Sequence, residues 1–285
     1  MTAPWRRVAM AVLALSLLAG CSSEPAVAPP QSPPSYPNWP ESLADFRFRW
    51  TAEPGVDLLT GPAVPLRAFL ESFRVGDFTK DLDGPDPGFS SYPGFLDAVT
   101  RPTGVEGPIP FQITHAWPFP GSNSADEPSY GNEYFHVLKL DPIDGGYRAY
   151  VCDGQYNVLR RDRKTPKYVS ILGSSDRYSV AKVWRVELRG PVPAGPGAVP
   201  QQGPNPAPID DVFGDGQITA SDHGVWGMSG SLESRSAGPI ANELHARCLG
   251  LMPHSPAEQV ALADSEHDSP PTAEPAVPGW PASAS

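Results

Sequence analysis

Residues 134–161, YFHVLKLDPIDGGYRAYVCDGQYNVLRR, decide the fold of this chain. Apolar and polar residues alternate in three short runs of this stretch, as in β-strands with one buried face. The segments 167–173 (KYVSILG) and 178–190 (YSVAKVWRVELRG) continue the pattern. Between the runs lie Gly145-Gly146 and Asp153-Gly154, pairs typical of tight turns because they accept positive φ. The pattern predicts an antiparallel meander of four or five strands, with a two-residue hairpin at Asp153-Gly154.

Two helices are predicted outside the meander. Residues 62–73 follow a start signal, Thr60-Gly61-Pro62, and carry apolar residues at offsets 0, 3, 4 and 7, the spacing of one helix face. That face consists of Leu66, Phe69, Leu70 and Phe73. Residues 239–251 form the second helix, with one side made of Ile240, Leu244, Cys248 and Leu251.

These elements predict an α+β fold in which an amphipathic helix packs on an antiparallel β-meander. Over residues 60–190 the arrangement resembles the cone-shaped folds of the cystatin and nuclear-transport-factor type. Such folds host both enzymes and inert binding modules, so the resemblance implies an architecture and no activity.

The first 21 residues resemble the export signal of a bacterial lipoprotein. Arg6 and Arg7 precede an uncharged run, residues 8–20, that is too short to span a bilayer. Leu18-Ala19-Gly20-Cys21 matches the lipobox, in which the signal peptidase cuts before a cysteine whose thiol carries a diacylglyceryl group. The resemblance implies acylation, palmitate included, and attachment at Cys21 to the extracytoplasmic face of the cell membrane. The alternative is an ordinary secretory signal with a chance cysteine.

Proline divides the rest of the chain into a body and two ends. There are 37 prolines, dense at both ends, where they disfavour helix and central strand. Residues 21–40 are therefore predicted to be a Pro-rich tether, residues 41–252 a single α+β domain, and residues 253–285 a disordered tail rich in Pro, Ala and acids. Both ends are also candidates for O-linked sugars.

The charge of the chain argues against nucleic acid as a partner. The formal net charge is −11, and cleavage before Cys21 makes it −13, so the body should repel nucleic acid and anionic headgroups. The largest basic cluster is Arg160-Arg161-Asp162-Arg163-Lys164. We interpret it as a solvated hairpin end, with a phosphate site as the alternative.

Three cysteines are present, and lipid at Cys21 would leave Cys152 and Cys248. Two remaining cysteines in an exported protein most often pair, whereas a reactive thiol would need a histidine partner in a recognisable motif. We therefore predict a disulfide that joins the meander to the late helix.

A weak calcium motif lies at residues 211–222. Asp211, Asp215, Thr219 and Asp222 fall at oxygen-ligand positions of an EF-hand loop, with Gly216 at the turn. Phe213 occupies a ligand position, and no helix precedes the loop. The alternative, an acidic turn between short strands, is preferred, and no metal is predicted.

No catalytic residues are predicted. None of the six histidines forms a metal-ligand pair such as H-x-x-x-H, and His136 and His245 suit structural roles in a strand and a helix. Ser229 lacks the spacing of a nucleophile elbow. The acids of Asp210-Asp211 and of residues 81–86 are interpreted as solvated. The remaining histidines are His115, His223, His254 and His267.

Aromatic residues offer the remaining candidate for a site. Large rings can line a cavity for an apolar or sugar ligand, but a plain core explains them as well. They are Trp117, Phe119, Tyr130, Tyr134, Phe135, Trp184 and Trp226.

Three stretches, starting at Trp50, Phe135 and Gln201, resemble uncharacterised exported proteins and lipoproteins of mycobacteria and related actinobacteria: WTAEPGVDLLTGPAVPLRAFLESF, FHVLKLDPIDGGYRAYVCDGQYNVLRRD and QQGPNPAPIDDVFGDGQIT. The resemblance implies a compartment and brings no activity. We expect a non-enzymatic envelope lipoprotein that binds an envelope protein or a small ligand and uses no cofactor. The alternative is an envelope hydrolase or apolar-ligand carrier that uses a helix–sheet cavity.

Overall fold

Two long antiparallel strands, β2 (Tyr130–Ile143) and β3 (Gly146–Arg161), form the centre of the structure. A computed structural model describes residues 35–79, 90–99, 127–172, 180–191, 199–223 and 239–283. The other strands are β1 (Phe46–Ala52), β4 (Tyr168–Ser170), β5 (Ala181–Arg189), β6 (Gln217–His223) and β7 (Glu266–His267). The helices are α1 (Ala63–Thr79), α2 (Phe95–Ala98), α3 (Pro239–Leu251) and α4 (Pro256–Ala263), and a 3-10 turn spans Glu41–Leu43.

The strands form one mixed sheet that is mostly antiparallel. β1 runs parallel to β2, and every other pairing is antiparallel. Along the edge that faces away from β2, β3 pairs with β5 through its first half and with β4 through its end. β6 continues beyond β5, and β7 beyond β4. The predicted α+β class is confirmed, and the sheet is mostly antiparallel, but it is not a simple meander, because β5 pairs with β3 and not with β4.

The predicted hairpin at Asp153-Gly154 is wrong. Both residues lie inside β3, where Asp153 pairs with Phe135 on one side and Lys182 on the other. The chain turns instead between Ile143 and Gly146, through Gly145 at φ +72°. A Cβ on Gly154 would lie 2.7 Å from the Met252 sulfur. Close packing, and not a turn, therefore explains the glycine at this position.

Helix α1 packs across one face of the sheet. Its predicted apolar residues lie in the same core as Phe135, Val151 and Trp184 of the sheet, with the Phe73 and Trp184 rings 5.1 Å apart. The helix runs past residue 73 to Thr79, and all its residues except Asp77 are buried. It is therefore not amphipathic with a solvated face, because a face that carries charged residues is also covered.

Helices α3 and α4 pack on the opposite face. The predicted bounds 239–251 of the late helix are confirmed, and Leu244 and Cys248 lie in a second core with Cys152 and Met252. The predicted disulfide is present, with the Cα atoms of Cys152 and Cys248 5.4 Å apart. Successive residues of a strand point to opposite faces, so Val151 contributes to one core and Cys152 to the other.

The prediction of a disordered tail is wrong for residues 253–283. Helix α4 has a complete capping box at Ser255 and Glu258. Further on, Val277 exchanges backbone hydrogen bonds with Phe48 and Trp50 of β1, and Trp280 is 1% exposed. Proline-rich composition excluded helix and central strand, but not an extended segment that lies along a sheet edge.

The last residues of the predicted tether belong to the body. Trp39 packs beside Phe46 and Phe48, and the Asn38 side-chain amide donates to the Pro208 carbonyl at 2.9 Å. The export signal, Cys21 and the rest of the tether lie outside the described residues. Within the described residues, no helix is long and apolar enough to cross a bilayer.

Candidate functional site

The interface between α1 and the sheet is filled by side chains. The core aromatic residues there are all less than 5% exposed: Phe46, Phe69, Phe73, Phe95, Phe135 and Trp184. The cavity beside Pro65, Leu188 and Phe213 measures about 10 Å³, which is roughly the space that one water needs. The interface is therefore packed as a core and provides little room for an apolar ligand at this point.

At one margin of this core, Arg74 of α1 binds two buried carboxyl groups of the sheet. Its Nε donates to Glu133 Oε1 at 2.8 Å and its Nη2 to Asp153 Oδ2 at 2.9 Å, and both acids are fully buried. Asp77, one turn along the helix, lies 3.2 Å from Nη1. Trp184 Nε1 also donates to Asp153 Oδ2, at 2.9 Å. These contacts connect the helix with three strands.

The geometry of this cluster follows from the strand register. Between Asn132 and Tyr134 of β2, the partner strand β3 advances three residues, from Asn157 to Gly154. Such a bulge re-aims side chains. Glu133 lies on β2 between the two pairs at which the register shifts, and Asp153 lies on β3 next to Gly154.

Burial shifts the pKa values of the cluster. Burial raises the pKa of Glu133 well above its usual range; Arg74 opposes this shift, and the neighbouring Asp153 adds to it. Burial alone would lower the pKa of Arg74, but Glu133, Asp153 and Asp77 raise it above its ordinary value. The guanidinium therefore stays charged between the acids that surround it.

A polar cleft of about 380 Å³ opens beside this cluster. Its lining includes Arg74, Phe78, Gln155, Arg160 and Lys182, and its volume lies within the usual range of small-molecule sites. The Gln155 amide oxygen, turned toward Arg74, accepts from that guanidinium at 2.7–3.1 Å. With four polar partners, Arg74 is fully engaged.

Arg160 is a buried cation of the cleft that forms no salt bridge within the part of the chain that the structure describes. It is 8% exposed, its Nε donates to Ser129 Oγ at 3.0 Å, and its guanidinium lies 4.9 Å from the centre of the Phe78 ring. Its Nη2 has no hydrogen-bond partner among the described residues. Burial lowers the pKa of Arg160, and the more distant Glu127 and Asp77 oppose the shift. The prediction of a solvated hairpin end is thus confirmed for the turn but wrong for Arg160, because the strand buries it.

A third buried carboxyl group, Glu71, joins α1 to the C-terminal segment, residues 271–281. It accepts from the indole N–H of Trp50 and of Trp280, each at 2.7 Å, and lies 3.0 Å from the Tyr92 hydroxyl. The Arg67 guanidinium lies 4.2 Å from the centre of the Trp280 ring and donates to the Pro278 carbonyl at 2.8 Å. Burial raises the pKa of Glu71 to about 7, although Arg67 and the three donors oppose the shift.

Residues 211–222 form a turn followed by a strand. Asp211 Oδ1 accepts from the backbone N–H of Phe213 at 2.7 Å, a local turn. Gln217–His223 is the extended strand β6, whose backbone at Asp222 pairs with Arg185. An EF-hand loop instead wraps its backbone around one ion. The backbone therefore favours the preferred interpretation, an acidic turn beside a short strand. The described residues contain no cluster of three or more metal-ligand side chains.

The histidines that the structure describes occupy structural positions. His136 Nδ1 lies 2.8 Å from Thr51 Oγ1, and burial lowers its pKa. His245 Nε2 contacts the Ala181 carbonyl at 2.9 Å, and His254 Nδ1 contacts the Tyr156 hydroxyl at 3.0 Å. His267 contacts Ser265 Oγ at 2.8 Å.

Of the aromatic candidates, Phe135 and Trp184 lie in the core under α1, and Tyr134 in the core under α3. The plain-core interpretation is confirmed for these three. Tyr130 is partly exposed, and its ring lies 5.3 Å from that of Tyr168. Several candidates lie outside the described residues or have undescribed side chains: residues 81–86, His115, Trp117, Phe119, His223, Trp226 and Ser229.

Sequence reasoning missed Arg74, Glu133, Asp153 and Arg160 as a group. One signal was available: three charged residues, Arg67, Glu71 and Arg74, follow each other at helical spacing within an otherwise apolar helix. Glu133 and Asp153 of the sheet give no such signal, because the pair Asp153-Gly154 by itself predicts a turn.

No protein-family model matches the chain, and neither the curated proteins nor the solved structures contain a match.

Proposed function

We propose that this chain is an extracytoplasmic lipoprotein, attached to the cell membrane through lipid on Cys21, whose body is a non-enzymatic module that binds a ligand or an envelope protein. The residues before Cys21 support the anchor through their charge, apolar run and lipobox spacing. The Cys152–Cys248 disulfide supports an oxidising compartment outside the cytoplasm. A helix lying across a sheet also supports the cone-type architecture of the cystatin and nuclear-transport-factor kind.

The observation that carries the binding function is the polar cleft beside a filled core. A binding site needs concave space and a few convergent polar groups, and the cleft provides both in about 380 Å³. The core under α1 is packed, so the cleft takes the place of the helix–sheet cavity as the site of a small ligand.

An envelope hydrolase is the second candidate, favoured by the Glu133 and Asp153 carboxyl pair. Two neighbouring carboxyl groups are a common arrangement for acid–base chemistry. Both acids lie behind Arg74 and are 0% exposed, which favours a structural role. If the pair were catalytic, Glu133→Gln would abolish turnover in a panel of ester and glycoside substrates.

The anchor is tested by changing its cysteine. Cys21→Ala and Cys21→Ser should each abolish globomycin-sensitive processing and partition into the detergent phase, because the thiol is the atom that carries the lipid. Cys248→Ala is the matched control, since it removes a cysteine of the body and should leave processing unchanged. A Cys21→Ala protein that still fractionates with membranes would contradict the anchor.

The binding function is tested on the lipidated protein purified from membranes of its native host. Native mass spectrometry should show a stoichiometric added mass that is lost on denaturation. A protein that carries no such mass and captures no partner by cross-linking in intact cells would contradict the proposal.

A further inference from the structure

We propose that Arg160 binds the oxyanion of a small organic ligand in the polar cleft, the anionic group being a phosphate or a carboxylate. This inference rests on the proposed binding function and names the chemistry of its ligand. It is carried by three observations: Arg160 is buried, the acids around it are already bound to other residues, and the cleft beside it has room for an organic ligand.

Burial of Arg160 without an ion partner is costly. The side chain is 8% exposed, and Nη2 has no partner among the described residues. A buried charge is normally paired, and an unsatisfied buried donor destabilises the folded protein. A ligand oxyanion in the cleft would supply the missing countercharge.

The acids that line the cleft are already engaged. Asp77 pairs with Arg74 at 3.2 Å, and Glu127 pairs with Arg163 at 2.7 Å. Asp162 accepts from the Thr165 hydroxyl at 2.7 Å within the hairpin turn. Glu127 and Asp77 act on Arg160 from a distance, but among the described residues no carboxylate forms a salt bridge with it, and the cations of the cleft lining exceed its acids.

The side chains around Arg160 suit an anion with an organic body. A guanidinium offers two parallel N–H groups to a phosphate or carboxylate, and the Ser129 and Phe78 contacts hold it in place. Lys182 lines the same cleft and adds a second positive charge. The cleft, about 380 Å³, is larger than an inorganic anion requires, so the ligand has a body beyond its anionic group.

The test uses phenyl phosphate and benzoate as probes of the two anion sources, titrated calorimetrically at low ionic strength into the oxidised mature chain. We expect one or both probes to bind, and Arg160→Met to weaken binding at least about tenfold, because charge-assisted hydrogen bonds are lost. Arg148→Met is the matched control: it removes an arginine that pairs with Glu187 at 2.8 Å outside the cleft, and should leave binding unchanged. Selective binding of one probe identifies the anion.

Thermal melting separates binding from a structural role. If Arg160 is held for a ligand, Arg160→Met should melt within about 2 °C of the unsubstituted chain or above it, because an unpaired buried charge is removed. Arg160→Lys retains the positive charge but not the two parallel N–H groups of the guanidinium. It provides the binding comparison if the methionine variant does not fold.

Three results would overturn the inference: neither probe binds, both Arg160 variants bind as well as the unsubstituted chain, or Arg148→Met loses binding equally. If the probes fail while the host-purified protein still carries a native ligand, the oxyanion assignment falls and the binding function stands. If that ligand is absent as well, both fall.

Discussion

At the scale of single residues, α1 is unusual in carrying three buried charged side chains on one face. Arg67, Glu71 and Arg74 follow at spacings of four and three residues, so they share a side of the helix. Each is satisfied by a distant part of the chain: Arg67 by the Pro278 carbonyl, Glu71 by indole N–H groups, and Arg74 by sheet carboxylates. The polar face of α1 therefore specifies which segments pack against it.

Glu71 should make stability depend on pH. Its folded pKa of about 7 lies above the ordinary 4.5, so between these values the folded state holds a proton that the unfolded state lacks. The raised pKa contributes on the order of 3 kcal/mol to the free energy of unfolding. This contribution is complete at or below pH 4.5 and is lost as pH rises to about 7. In Glu71→Gln, we expect the free energy of unfolding not to decrease in this way between pH 4.5 and pH 7.5. Urea unfolding at the two pH values gives the measurement.

The matched control is Glu258→Gln on the surface. Hydrogen bonds from Ser255 lower the pKa of Glu258, so this carboxylate stabilises the protein at higher pH and its removal should act with the opposite sign. Identical pH dependence in Glu71→Gln and the unsubstituted chain would contradict a raised pKa of Glu71.

At the scale of elements, the C-terminal segment covers the edge of β1 that faces away from β2. Val277 exchanges backbone hydrogen bonds with Phe48 and Trp50, while Trp280 pairs with Asn205. Asn132 exchanges two hydrogen bonds with the backbone of Glu274, at 2.9 and 3.0 Å. Covering an edge prevents pairing with another chain. The segment is thus part of the folded sheet.

Trp280→Ala should destabilise the protein by about 3–5 kcal/mol, the usual cost of truncating a buried aromatic side chain. It would also remove a donor from Glu71 and the ring beside Arg67. Urea unfolding gives the measurement. Val277→Ala is the matched control in the same segment: its side chain is 44% exposed and its contacts are backbone bonds, so a change within about 0.5 kcal/mol is expected. Equal effects of the two substitutions would show that the segment does not pack through Trp280.

At the scale of the whole molecule, helices cover both faces of one sheet, and a covalent bond joins two of the layers. Cys152 lies in β3 and Cys248 in α3, 96 residues apart in sequence. On the other face, α1 is held by ion pairs and aromatic packing. The two layers of helices are therefore attached by different means.

Reduction of the disulfide should lower the free energy of unfolding by about 4 kcal/mol, because the bond closes a loop of 96 residues in the unfolded chain. Urea unfolding with and without reductant measures the difference. The double variant Cys152→Ala, Cys248→Ala should unfold near the reduced protein and be insensitive to reductant. Mass spectrometry of an unreduced digest should show the two peptides linked, and alkylation of these cysteines without reduction would contradict the bond.

The sequence by itself determined the local elements and the disulfide. Strand alternation over residues 134–161 and the apolar spacing in α1 and α3 distinguish strand from helix, because both patterns depend on neighbouring residues. The cysteine pair followed from the predicted export and from counting.

Only the tertiary structure decided the roles of Asp153-Gly154, of the C-terminal residues and of Arg160. An Asp-Gly pair has the same local preferences in a turn and in a strand, and Arg74 and Met252, which distinguish the two cases, are far away in sequence. Proline-rich residues 271–281 become ordered because β1 offers an edge and α1 a pocket for Trp280. Such choices depend on which distant groups satisfy a buried charge or an open edge, and local composition carries no information about that pairing.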